Sequence, residues 1–225
     1  MQLGIKDAAR LLEVSEKAIY RWIEEGKLPA CWVNEQYRFN RAELLEWATT
    51  QKIQVSPDIY REVDDGLSTL GEALSAGGVH GAVQARDKAE ALKTMVGLIR
   101  LPEDVDRGFL IEMLLAREAR SSTGVGEGIA LPHARNPVVL PVDKPMVGLC
   151  YLDPAVDFAA PDHQPVHALF MIVSVGVRGH LHLLSRLAYV LRDGSFKSLL
   201  RGRAAEGEVL SRIGAIEMAL REGGR

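Results

Sequence analysis

Apolar positions recur along this chain in changing rhythms, and the changes divide it. Ile5, Ala8, Ala9 and Leu12 follow i, i+3, i+4, i+7 spacing, which predicts a first helix. Ser15 stands where an N-cap belongs, and Ala18, Ile19, Trp22 and Ile23 share one face of a second helix running through Glu25. Gly26 ends that helix and Pro29 follows. Cys31-Trp32-Val33 and Gln36-Tyr37-Arg38-Phe39 then flank Asn34-Glu35, the pattern of a small hairpin. A short helix from about Arg41 carries Leu44, Leu45 and Trp47. Residues 49–66 are polar, contain Pro57 and Asp64-Asp65, and read as a linker between a unit at 1–48 and a second at 67–225.

Beyond Leu67 helical stripes alternate with short apolar runs. Leu67, Leu70 and Leu74 are helically spaced up to Gly77-Gly78. Asp87 and Glu90 suit a capping box ahead of Ala89, Leu92, Met95 and Ile99, and a further helix from about Asp106 carries Phe109, Leu110, Met113 and Leu114. A glycine-rich turn, a short strand and Pro132-His133 follow. Residues 146–152 and 166–175 read as strands, and helices near 180–193 and 206–221 close the chain. This order predicts an α/β unit with a mixed β-sheet flanked by helices, preceded by a small winged helix-turn-helix.

Composition narrows the setting. The 225 residues are 47% hydrophobic and 25% charged, which excludes wholesale disorder. The net charge of -3 gives no global argument for nucleic acid or membrane. Cys31 and Cys150 form no disulfide framework, no signal-peptide core opens the chain, and the apolar run 166–177 is too short to span a bilayer. A cytoplasmic location is expected. All six histidines lie beyond residue 79, so the chemistry is expected in the second unit.

In the first unit, Lys17, Tyr20 and Arg21 lie on the exposed face of the second helix, with Lys27 in the turn and Gln36 and Arg38 on the hairpin. In a winged helix-turn-helix these are the positions that meet a major groove and its phosphates. Residues 1–52 hold eight Lys/Arg and eight Asp/Glu, so the non-specific attraction to DNA is weak and protein docking is the competing role. A DNA-binding form is expected to be oligomeric or assisted. Through IKDAARLLEVSEKAIYRWIEEGKLPA (Ile5 to Ala30) and YRFNRAELLEW (Tyr37 to Trp47), the unit resembles the excisionase-type helix-turn-helix, a relative of the MerR family. That resemblance implies sequence-specific DNA binding.

The second unit's main signal is REARSSTGVGEGIALPHAR, Arg117 to Arg135. Gly124, Gly126 and Gly128 can turn backbone N–H groups inward as an anion nest, with Ser122 and Thr123 adding hydroxyls; turn formation is the alternative for those two. A neutral imidazole at His133, beyond Pro132, can attack phosphorus. Arg117 extends the apolar stripe of its helix, so it either meets an anion near His133 or snorkels at the helix end. His180 opens a helix, where a neutral histidine suits a phosphoryl oxygen; a capping-region histidine exposed to water is the alternative. The glycines do not match a dinucleotide fingerprint, because the helix precedes them and the strand follows. A metal enzyme is the alternative from another class. It is disfavoured because Pro165 breaks the His163–His167 spacing and no His-Glu-x-x-His or Cys pair occurs.

Four segments, residues 114–135, 145–162, 165–175 and 180–193, make the unit resemble enzyme IIA domains of the phosphotransferase system, of the fructose–mannitol–nitrogen-regulatory type. The resemblance implies phosphorylation of His133 by the carrier HPr, with Arg117 and His180 as active-site partners. It implies a phosphocarrier rather than a turnover enzyme, with no cofactor and no metal. Regulation through the N-terminal unit is the favoured role, and a sugar-import phosphorelay is the alternative.

Overall fold

A computed structural model describes residues 2–33, 36–40, 44–45, 47–48, 51, 53, 67–133, 142, 144–174 and 176–222. The chain separates into two units, Met1–Gly66 and Leu67–Arg225. Most of the expected linker lies outside the described residues.

In the first unit, β1 (Gln2–Leu3) precedes α1 (Ile5–Leu11) and α2 (Glu16–Glu24), and β2 (Cys31–Val33) and β3 (Gln36–Asn40) form the hairpin. The hairpin's tip, Asn34-Glu35, is outside the described residues. Ser15 Oγ accepts the Ala18 N–H at 3.2 Å, as an N-cap does. β1 pairs antiparallel with β3 and makes a three-stranded sheet of what the sequence pattern shows as two strands. Leu11, Leu12, Ile19, Leu28, Phe39, Leu44 and Leu45 are buried. The Trp22 and Trp47 rings lie 5.1 Å apart beside them.

The second unit runs α3 (Leu70–Gly77), β4 (Val79–Val83), α4 (Lys88–Leu98), α5 (Arg107–Glu118), β5 (Gly124–Gly126), β6 (Ile129–Ala130), β7 (Met146–Val156), β8 (Val166–Val173), α6 (Val177–Val190), α7 (Gly194–Arg201) and α8 (Glu206–Glu222). Its five strands lie in the order β4-β7-β8-β6-β5. The β4–β7 and β6–β8 pairs are parallel, and β7–β8 and β5–β6 are antiparallel, so the sheet is mixed.

Both faces are covered. Leu169, Met171 and Val173 of β8 pack with Leu92, Met95 and Val96 of α4 and with Leu110 and Leu114 of α5. The alternate residues Ala168, Phe170 and Ile172 pack with Leu70 and Leu74 of α3, Leu183 and Leu187 of α6, Phe196 of α7 and Ile213 of α8. A strand covered on both sides has no polar face to show, which is why residues 166–173 read as one apolar run.

The ends of α3 are fixed. Thr69 and Glu72 form a reciprocal capping box, and Glu217 of α8 accepts the Leu70 and Gly71 N–H groups at 3.0 and 3.3 Å. At the other end Gly77 lies against the Val147 carbonyl, where a Cβ would collide with backbone. The capping box expected at Asp87 is half formed. Asp87 accepts the Glu90 N–H at 2.8 Å, but the Glu90 carboxylate turns to Arg86. Cys31 is exposed, whereas Cys150 is buried in β7, where desolvation pushes its thiol up to about 12.

Candidate functional site

His133 is held by the strand that leads to it. Ile129 and Ala130 pair with β8, the Leu131 N–H donates to the Thr123 carbonyl at 2.9 Å, and the Ile172 N–H donates to the Pro132 carbonyl at 3.2 Å. His133 itself bridges to Ile172 beyond the end of β6. The ring's Nδ1 lies 2.7 Å from the Leu131 carbonyl. A carbonyl only accepts, so Nδ1 carries the proton and Nε2 carries the in-plane lone pair.

His180 faces it, with ring centroids 5.0 Å apart and planes inclined at 42°. Both side chains are buried. Burial lowers His133 to about 4; the positive charge of Arg117 adds to this, and the Leu131 carbonyl and Glu118 oppose it. Burial, followed by the charge of a protonated His133, lowers His180 to about 3. Two neutral imidazoles therefore meet at neutral pH. The helix bearing His180 begins at Val177, three residues before the expected start, and the His180 N–H is already taken by Gly176 O at 3.0 Å. The ring of His180, not a terminal amide, is what reaches the site.

Arg117 is buried in the last turn of α5 and donates to Ser121 O at 2.8 Å and Ser121 Oγ at 3.0 Å. Its positive charge opposes protonation of His133. The neighbouring Glu118 was not among the residues expected at the site. It is buried and accepts the Thr123 N–H at 3.0 Å and the Thr123 hydroxyl at 2.6 Å, with Lys88 Nζ at 3.5 Å. A chain of hydrogen bonds thus runs from Glu118 through Thr123 and Leu131 to the imidazole of His133.

The three glycines are placed differently from the expected nest. Gly124–Gly126 is strand β5, and Glu127-Gly128, at φ 55° and 76°, is the tight turn into β6. The Gly124 N–H donates to Ser122 Oγ at 2.9 Å, and the Glu127 N–H donates to Asp162 at 2.6 Å. The turn is held further by Glu127 with Lys197 at 2.8 Å and Arg201 at 3.4 Å. Gly128 packs under the His167 ring, where a Cβ would overlap it. Ser122 donates its hydroxyl to the Phe158 carbonyl and Thr123 to Glu118. The Gly124 N–H and the Ser122 and Thr123 hydroxyls thus shape the loop.

The other histidines are apart from the pair. His80 is in β4, His163 is in the turn before β8, and His167 is in β8. His182 is buried and bonds through Nε2 to the Ser68 carbonyl at 3.1 Å. Among the described residues, no three His, Cys, Asp or Glu side chains gather as metal ligands, and no helix is long and apolar enough to cross a membrane.

In the first unit Lys17, Tyr20, Arg21 and Lys27 are exposed, Lys27 in an ion pair with Glu25 at 2.8 Å. Arg38 is half-buried and donates to Gln36 at 2.7 Å. Tyr20, Tyr37 and Trp32 make an edge-to-face series, with centroids 6.2 and 4.6 Å apart, of which the sequence pattern singles out only Tyr20.

Residues 72–215 match the family described as phosphoenolpyruvate-dependent sugar phosphotransferase system, EIIA 2. The chain belongs to this family. Residues 3–52 match a helix-turn-helix domain family. The nitrogen regulatory protein of Pseudomonas aeruginosa is 35% identical over 135 residues, 58% of this chain and 84% of that protein. The fructose-specific EIIABC component of Bacillus subtilis is 34% identical over 128 residues, 55% of this chain but only 20% of that much longer protein. The crystal structure of nitrogen regulatory protein IIA-Ntr from Neisseria meningitidis superposes with a TM-score of 0.55 at 28% identity, covering 64% of this chain and 98% of that one. The EIIA unit is thus a phosphotransferase-system EIIA-type phosphocarrier fold, related to nitrogen regulatory proteins and joined to a helix-turn-helix.

Proposed function

We propose that this EIIA protein accepts a phosphoryl group on His133 from an HPr-type phosphocarrier and uses the phosphorylated state to regulate its helix-turn-helix unit. The observation that carries the reading is the buried His133–His180 pair, with the His133 tautomer fixed by Leu131. Nε2 of His133 attacks phosphorus in line, and the bond from phosphorus to the donor's histidine breaks as the new P–N bond forms. The low basicity of both rings keeps the lone pair available at neutral pH. Positive charge developing on the imidazole is shared through Nδ1–H to the Leu131 carbonyl. Arg117 and His180 donate to the phosphoryl oxygens, whose charge a buried site makes costly to leave unpaired.

Incubation with phosphoenolpyruvate, enzyme I and HPr, followed by intact mass, tests this. The wild type should gain one phosphoryl group and His133→Gln none; equal labelling of both sinks the assignment. DNA recognition rests on exposed Lys17, Tyr20, Arg21 and Lys27, with Arg38 on the hairpin. Selection from random DNA should enrich a sequence, and Lys17→Ala/Arg21→Ala should lose it; no enrichment removes DNA as the partner. The likeness to a fructose-specific component keeps sugar import as the second reading, and a deletion strain that loses uptake of one sugar would favour it.

A further inference from the structure

His182 has no part in the chemistry above, yet it is as buried as the two histidines that do. It lies two positions after His180 on α6, so the two side chains leave the helix about 200° apart. His180 faces His133, while His182 Nε2 donates to the carbonyl of Ser68 at 3.1 Å. Ser68 stands at the root of the segment that leads back to the helix-turn-helix. It precedes Thr69, the N-cap of α3, and the next two N–H groups are held by Glu217. Residues 68–71 are therefore held by α6, by α8 and by their own cap. Of these, α6 alone also carries a member of the histidine pair.

The start of α6 is built to yield. Its N-cap is Gly176, with no side-chain cap, and Gly179 lies in the first turn; a Cβ at either would meet nothing. A phosphoryl group on His133 brings up to about two negative charges to a neutral ring whose centroid is 5.0 Å away. A ring turn of His180 that offers those oxygens a donor would act on the first turns of α6, whose glycines leave room for a shift. His182 is on those turns.

We propose that the His182–Ser68 hydrogen bond couples the phosphorylation state of His133 to the root of the linker, so that phosphorylation loosens residues 67–71 and with them the tether of the helix-turn-helix. The proposal rests on the phosphocarrier reading. The test is hydrogen–deuterium exchange of the full chain, with and without phosphoenolpyruvate, enzyme I and HPr, and intact mass measured on each sample. Phosphorylated wild type should exchange several-fold faster over 67–71. His182→Ala should exchange fast already and respond no further, while still gaining the phosphoryl mass. His182→Gln, which retains a donor, should regain part of the response. Unchanged exchange in phosphorylated wild type overturns the coupling, as does a His182→Ala protein that responds like wild type. Should His182→Ala fail to fold, the wild-type comparison alone decides. Absence of the phosphoryl mass refutes the phosphocarrier reading instead.

Discussion

Acid should destabilise the EIIA unit through His133 and His180 before its carboxylates titrate. The folded values, about 4 and about 3, both lie below the ordinary 6.5. Between those limits the unfolded chain binds protons that the folded chain refuses, so stability is full above 6.5 and is lost as pH falls. From pH 7.5 to pH 5 each histidine forfeits about 2 kcal/mol, the pair about 4 kcal/mol. With the rings 5.0 Å apart, charging one makes charging the other harder, which prolongs the loss toward low pH. The assay is urea unfolding at pH 7.5 and 5.0 at constant ionic strength, on wild type and on His133→Gln/His180→Gln. His167, also lowered by burial, is present in both proteins and cancels. Wild type should lose about 4 kcal/mol more than the double variant over this interval. Parallel losses would refute the claim that the pair is held neutral by burial.

The remaining predictions probe the surroundings of that pair. Arg117→Met should raise the His133 pKa and Glu118→Gln should lower it, since their charges act on the ring in opposite senses; NMR titration reads both. Arg117→Lys keeps the charge but loses the planar fork, and should slow phosphoryl transfer by about tenfold or more in quench-flow. Glu118→Ala leaves the Thr123 N–H and hydroxyl unpaired in a buried place and should cost about 2–5 kcal/mol by chemical denaturation. Gly128→Ala puts a methyl into the His167 ring at a positive φ and should cost about 1–3 kcal/mol, whereas His167→Ala should relieve the clash with the ring and leave the backbone strain.

The sequence shows some of this fold and site readily and some only in retrospect. Amphipathic helices such as α2 and α5 are visible because one face repeats at the helical period. Strand β4 is not, because His80, Gly81 and Ala82 interrupt any alternation and the parallel pairing to β7 is a long-range fact. Helix α7 hides behind Gly194-Ser195, which look like a turn, although Asp193 caps it. The Thr69–Glu72 box was legible in principle as the pattern Thr-x-x-Glu. Arg117 stands out because a cation on an apolar stripe is rare, and His133 and His180 stand out through the segments that resemble enzyme IIA domains. Glu118 could not, since its partner Thr123 lies across a loop and a Glu near a helix end is ordinary. The role of the glycines is less legible for a related reason. A glycine records that a backbone is unusual, and only pairing tells whether it turns a hairpin or receives an anion.

The unequal fates of the two cysteines leave this chain with a single handle for a spectroscopic probe. Cys150, sealed in the middle of the EIIA sheet with its thiol held protonated, is inert to alkylating dyes, while Cys31 on β2 is open to them. A maleimide fluorophore should therefore label the unmutated protein once, within the helix-turn-helix unit and beside the exposed Trp32. Rotational anisotropy of that dye would report the motion of one unit while the other is being phosphorylated.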